Sequence, residues 1–239
     1  MLKTFIQYII ELSEPKIQKI DGQTYSDKPL HRINHNPKAE PIPLNTLTSL
    51  VDYLSTDLPD IAGEQFIVHI QSPTKVAVYS ALDADRKREF LVEVNAQVPA
   101  FNFNQFIEHE QFCIGLQSKF IDNDDRALLL KFAGTVESGS ISEYGDDGVT
   151  QKATIKTGIA SKGEALVPSP VTLKPFRTFI EVDQPVSSFI FRMQPGKYEG
   201  IQCALFEADG GAWKNNAMNE IKVFLTNALA EHPQFIIIS

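Results

Sequence analysis

Helix-period and strand-period apolar patterns occupy separate stretches of this chain, and that segregation restricts the fold more than any motif does. Leu2, Phe5, Ile6 and Ile9 fall at helical spacing, and Pro15 ends the run. Leu47, Leu50, Val51 and Leu54 repeat the spacing after a capping Asn45 or Thr46, up to Pro59. Trp213, Ala217, Ile221, Phe224, Leu225 and Ala228 make the clearest stripe, closed by Pro233. Elsewhere apolar residues alternate in short runs. Phe66 to Ile70, Val76 to Leu82 and Glu89 to Asn95 predict a meander with turns at Ser72-Pro73 and Asp83 to Asp85. Further strands are expected at Leu128 to Val136, Thr150 to Thr157, Thr178 to Val182, Ser188 to Met193, Ile201 to Glu207 and Phe235 to Ile238. Phe103, Phe106, Ile107 and Ile114 suit helical spacing but Gly115 interrupts it, giving two short helices or one broken one. Helices set apart from runs of strands predict an α+β fold: antiparallel, meander-rich sheets with three or four amphipathic helices.

Ile17 to Tyr25 alternates around Asp21-Gly22, a hairpin signal. Residues 26–45 carry Pro29, Pro37, Pro41 and Pro43 with few large apolar residues, which reads as an extended connector. The expected division is therefore an N-terminal helix, hairpin and proline-rich arm over 1–45, and a main α+β domain over 46–239. A chain of 239 residues buries enough surface to fold without disulfide or metal. Cys113 and Cys203 sit in apolar runs and read as buried reduced thiols, with no spacing suited to zinc. A net charge of −8 argues against nucleic-acid binding, which needs a basic face. No apolar run is long enough for a membrane span. Leu2 to Ile10 runs into Glu11 and Glu14 without a small-residue cleavage site, so a secretion signal is not expected. The expected location is cytoplasmic.

Turn, strand and charged residues are densest from Tyr144 to Asp183. Tyr144-Gly-Asp-Asp147 spells a magnesium-binding motif of RNA-dependent polymerases, where paired carboxylates hold two metal ions. No hydrophobic strand leads into it and no earlier carboxylate motif supplies a third ligand, so a surface turn explains it better. Glu207 and Asp209 flank Gly210-Gly211 before the last helix, where they read as caps or, joined by Asp146 and Asp147, as a divalent-cation site. Lys152, Lys156, Lys162, Lys174 and Arg177 form the sustained basic bias, a solvated strand face or a phosphate-binding one. Trp213 reads as a packing residue or as a platform for a base. His31, His35, His69, His109 and His232 show no metal-binding spacing on a helix, and no phosphate loop, dinucleotide fingerprint or nucleophile elbow occurs. No cofactor is implied.

The runs Tyr144-Gly-Asp-Asp-Gly-Val-Thr-Gln-Lys152, Gly158-Ile-Ala-Ser161, Pro168-Ser-Pro-Val-Thr-Leu-Lys-Pro-Phe-Arg-Thr-Phe179 and Ala204-Leu-Phe-Glu-Ala-Asp-Gly-Gly-Ala-Trp-Lys214 resemble those of YfdQ-like phage and prophage proteins, an uncharacterised family. The likeness is strongest over 144–225 and extends back to about residue 40. The resemblance implies phage origin and a bacterial host's cytoplasm, and transfers no site residue. The leading expectation is a non-enzymatic, self-associating phage accessory protein that binds a host or phage component. The alternatives are three. A binder of a small phosphorylated ligand such as a nucleotide would use Lys152, Lys156, Lys174, Arg177 and Trp213. A metal-dependent phosphoryl-transfer enzyme would use Asp146, Asp147, Glu207 and Asp209. A single-stranded nucleic-acid binder is the last.

Overall fold

The computed structural model describes residues 2–29, 38–56, 65–83, 86–143, 151–156, 162–196 and 200–239. Contacts divide the chain into two units, Met1–Ala39 and Glu40–Ser239. In the first, α1 (Leu2–Ser13) precedes a hairpin of β1 (Ile17–Ile20) and β2 (Gln23–Ser26). The turn forms as its residues dictate, with Asp21 and Gly22 both at positive φ, the geometry a two-residue hairpin loop requires. Lys28 Nζ donates to the carbonyls of Leu12 and Glu14, satisfying acceptors that the end of α1 leaves open. Asp27 Oδ1 accepts from the Lys16 amide at 2.7 Å and locks the mouth of the hairpin.

The second unit opens with β3 (Ile42–Leu44), α2 (Leu47–Leu54), β4 (Phe66–Ser72), β5 (Lys75–Ser80) and β6 (Phe90–Asn95). Next come β7 (Ile107–Glu108), α3 (His109–Lys119), α4 (Asp124–Ala133), β8 (Val136–Glu143), β9 (Gln151–Lys156), β10 (Lys162–Leu166) and β11 (Val171–Leu173). It ends with β12 (Ser187–Pro195), β13 (Ile201–Glu207), α5 (Ala212–Ala228) and β14 (Phe235–Ile238). The fold is α+β, as the segregated periodicities predict.

Three sheets form in this unit, ordered β14-β4-β5-β6-β3, β11-β12-β13-β7 and β10-β9-β8. The meander β4-β5-β6 is antiparallel as expected, but β14 joins β4 and β3 joins β6 in parallel, so the largest sheet is mixed. The partners of β14 and β3 lie far away in sequence, which local alternation cannot reveal. Ile42–Leu44 is thus a strand, where a connector was expected.

Two apolar cores result. The first packs Leu47, Leu50 and Leu54 of α2 and Ile221 and Leu225 of α5 on Phe66, Val68, Val76, Val78, Val92 and Val94. The second is aromatic, with Phe112, Leu116, Leu129 and Phe132 of α3 and α4 set against Phe189, Phe191 and Leu205.

Three further expectations are corrected. Leu128 to Val136 is not one strand: Asn123 caps α4 by accepting from the Arg126 amide, and Leu129, Phe132 and Ala133 bury at helical spacing. The acidic first turn, Asp124 and Asp125, favours that helix start. Thr178 to Val182 is a turn rather than a strand, because Phe179 and Val182, three apart, both enter the first core. Residues 101–121 hold one helix, α3, with Gly115 inside it. A Cβ there would lie 2.8 Å from the Phe101 ring, so glycine makes room for aromatic packing instead of breaking the helix.

Candidate functional site

The segment from Pro175 to Ser187 carries the functional candidate Arg177 and joins the two cores. Phe179 and Val182 insert into the first core, which a turn allows and an alternating strand does not. Gln184 holds that turn closed. Its Oε1 accepts from the amides of Arg177 and Thr178 at 3.0 and 3.2 Å, and its Nε2 donates to the carbonyls of Phe179 and Val182. Thr178 Oγ1 donates to the Pro73 carbonyl in the β4–β5 turn.

Arg177 points the other way and is 7 % exposed. Its guanidinium carbon lies 3.9 Å from the centre of the Trp213 ring at the start of α5, and 5.5 and 5.6 Å from those of Phe189 and Phe103. Nη1 donates to Glu207 Oε1 at 2.6 Å, and Nη2 donates to Ser187 Oγ. Burial pushes the Arg177 guanidinium below its usual range, and the carboxylates of Glu207 and then Asp209 push back. Asp209 lies beside it. Burial raises its pKa, but the Ser187 hydroxyl, the Gly211 and Trp213 amides and the Arg177 charge outweigh that and hold it below the ordinary carboxylate range. The Gly211 amide donates to Asp209 Oδ1 at 3.0 Å, so Asp209 caps the turn into α5. Asn104, at positive φ, accepts the Glu207 amide with Oδ1 and completes the frame.

The arrangement brings together Arg177, Trp213, Glu207 and Asp209, half from the expected ligand-binding set and half from the expected metal set. They engage one another. The cation and the indole expected to hold a nucleotide's phosphate and base are stacked together, and Glu207 holds the cation. Lys174 stands apart, 3.7 Å from Asp183. Lys152 and Lys156 lie on β9, opposite Leu166 and Lys162 of β10. Asp146 and Asp147 lie outside the described residues. Among the described residues no three His, Cys, Asp or Glu converge as metal ligands. Sequence reasoning missed Gln184, Ser187 and Phe103. Only Asn104 carried a local signal, because asparagine tolerates positive φ better than most residues.

Cys113 and His109 form a second cluster. His109 Nε2 lies 3.0 Å from the Ala133 carbonyl, which can only accept, so this nitrogen carries the proton. It is also the nitrogen 3.6 Å from Cys113 Sγ, and it is therefore not a base for that thiol. Burial raises the Cys113 pKa. It pushes Cys203 up to about 12, with Cys113 adding to the effect. Both cysteines are free.

No family model, curated protein or solved structure matches this chain. Among the described residues no helix is long and apolar enough to cross a membrane.

The other candidate is α1. Leu2, Phe5, Ile6, Tyr8, Ile9, Ile10 and Leu12 are each 49–75 % exposed. At about 100° per residue they cover roughly 200° of the helix circumference. Ile17, Ile20 and Tyr25 of the hairpin are also exposed. Neither apolar core cluster includes a described residue of this unit.

Proposed function

We propose that this protein is a non-enzymatic, self-associating accessory protein of the phage type its mid-chain motifs resemble. It acts in the host cytoplasm and binds a host or phage component as an assembly. The observation that carries the reading is the exposed apolar arc of α1. Leu2, Phe5, Ile9 and Leu12 follow the three-four-three spacing of a helix-packing seam, and Ile6 and Tyr8 flank it. An arc this wide exceeds one narrow seam and suits packing against more than one neighbouring helix. Its seven side chains offer on the order of 700 Å² of surface, close to one partner's share of an ordinary interface. A membrane surface is the poorer occupant. Interfacial helices carry a basic polar face, whereas α1 has Lys3 alone, followed by Glu11 and Glu14, on a chain of net charge −8.

Static light scattering on the full chain tests the reading. The expected result is an oligomer, with Phe5→Asp/Ile9→Asp lowering its order. A monomer across the micromolar range would remove the proposal.

A further inference from the structure

A sheet edge is a row of unpaired backbone groups, and proteins that stay apart block it. Three of the four edges of the two larger sheets are blocked, each differently. At β3, Pro43 removes the central donor. At β11, Asn123 Nδ2 donates to the Thr172 carbonyl and Asp125 Oδ2 accepts the Thr172 amide, so side chains from the start of α4 occupy the rim. At β7 the strand is two residues long and turns directly into α3.

The fourth edge, β14, has none of these devices among the described residues. It reads Phe-Ile-Ile-Ile, and residues 233–239 hold no charged side chain and no proline after Pro233. Ile236 and Ile238 lie on the outer face, 45 and 41 % exposed, while Phe235 is buried and Ile237 packs on the first core. The Gln234 carbonyl accepts the Phe66 amide at 2.9 Å. By the alternation of a parallel ladder, Ile236 then faces β4, and the N–H and C=O of Ile237 face the free side. The Phe235 amide is taken by the His232 carbonyl, leaving the Phe235 carbonyl on the same rim.

We propose that β14 pairs antiparallel with β14 of a second copy about a two-fold axis through Ile237, joining two five-stranded sheets into one of ten. The free groups match this symmetry. The two Ile237 residues exchange both N–H and C=O bonds, and each Phe235 carbonyl accepts the Ser239 amide of the other copy. Ile236 then sits across from Ile238 of the second copy, and Ile238 across from its Ile236, covering all four exposed side chains. An isologous contact of this kind needs no coded partner, and the strand carries no charge that would select a different one. The argument for β14 uses no residue of α1, so neither proposal depends on the other.

The test uses the full chain carrying Phe5→Asp/Ile9→Asp, which removes α1 as a contact. Sedimentation velocity should then find a concentration-dependent dimer. Adding Ile236→Lys/Ile238→Lys, at exposed positions, should raise its dissociation constant by about tenfold or more while leaving the thermal unfolding midpoint in place. Amide exchange provides a readout independent of variants: the Ile237 and Ser239 amides should gain protection as concentration rises. A monomer at every concentration, with both amides exchanging freely, would overturn the proposal even if the unaltered chain oligomerises through α1. So would a one-to-one complex of the monomer with an added Gln-Phe-Ile-Ile-Ile-Ser peptide and no self-pairing, because the edge would then serve a foreign strand.

Discussion

Arg177 and α1 break the same rule in opposite senses. Charged groups are ordinarily outside and large apolar groups inside, yet here a guanidinium is buried and a helix shows seven apolar side chains to solvent. The difference lies in where the partners are. Arg177 has its partners within the chain: Glu207 and Ser187 as acceptors, and three aromatic rings around it. Those contacts satisfy both terminal nitrogens, while Arg177 Nε and the neighbouring Trp213 Nε1 are buried without a hydrogen-bond partner among the described residues. Leu2, Phe5, Ile6, Tyr8, Ile9 and Leu12 of α1 are not buried within their own unit, although the helix itself is well formed and capped by Lys28. A buried polar group with internal partners points to architecture. The exposed apolar arc is the feature on which the proposed self-association rests.

The sharpest way to break this comparison is to remove the guanidinium. Arg177→Ala leaves Glu207 without its ion-pair partner and opens a space among Trp213, Phe189 and Phe103. The expected loss is about 3–5 kcal/mol of unfolding free energy, read by urea denaturation. Arg177→Lys keeps the charge but not the planar fork or the stacking, and should restore no more than roughly half of that loss. A stable Arg177→Ala protein, unchanged in its unfolding midpoint, would mean that this cation is held for a ligand instead.

A smaller effect comes from Asp209. Its folded-state pKa lies below the ordinary value, so its contribution is fully present above the unfolded pKa and is lost as pH falls through the folded one. The unfolding free energy should therefore drop as pH is lowered from about 5, where an unfolded aspartate begins to protonate. Asp209→Asn should flatten that part of the profile and leave the neutral-pH fold assembled. A profile identical in both proteins would detach Asp209 from the Arg177 junction.

The architecture was more legible than the junction. The stripe from Trp213 to Leu225, the Asp21-Gly22 turn and the β4–β5–β6 meander each carry their signal within a few residues. Leu128-Leu-Leu130 did not, because three adjacent leucines suit either period and the cap at Asn123 decided for the helix. Lys152, Lys156, Lys174 and Arg177 looked like one basic stripe only because they are near in sequence. The fold sends Lys152 and Lys156 to β9, Lys174 to an ion pair and Arg177 into the core. The stacking of Arg177 on Trp213 brings residues from separate elements together, and the Gln184 clamp depends on the shape of a turn. Neither kind of contact leaves a periodic trace.

The smallest expected effect is the most telling for α1. Ile9→Gln removes an apolar side chain of the same class as those whose loss from a core costs about 1–3 kcal/mol or more. In α1 that side chain is half exposed and belongs to neither core. The unfolding free energy of a dilute, dissociated sample should accordingly move by no more than about 0.5 kcal/mol. The same substitution should weaken self-association measured at higher concentration. Stability and association thus separate at α1, whereas Arg177 substitutions act on stability first. If Ile9→Gln destabilised the dissociated chain as strongly as a core truncation does, α1 would have its partner within the same molecule, and the contrast with Arg177 would disappear.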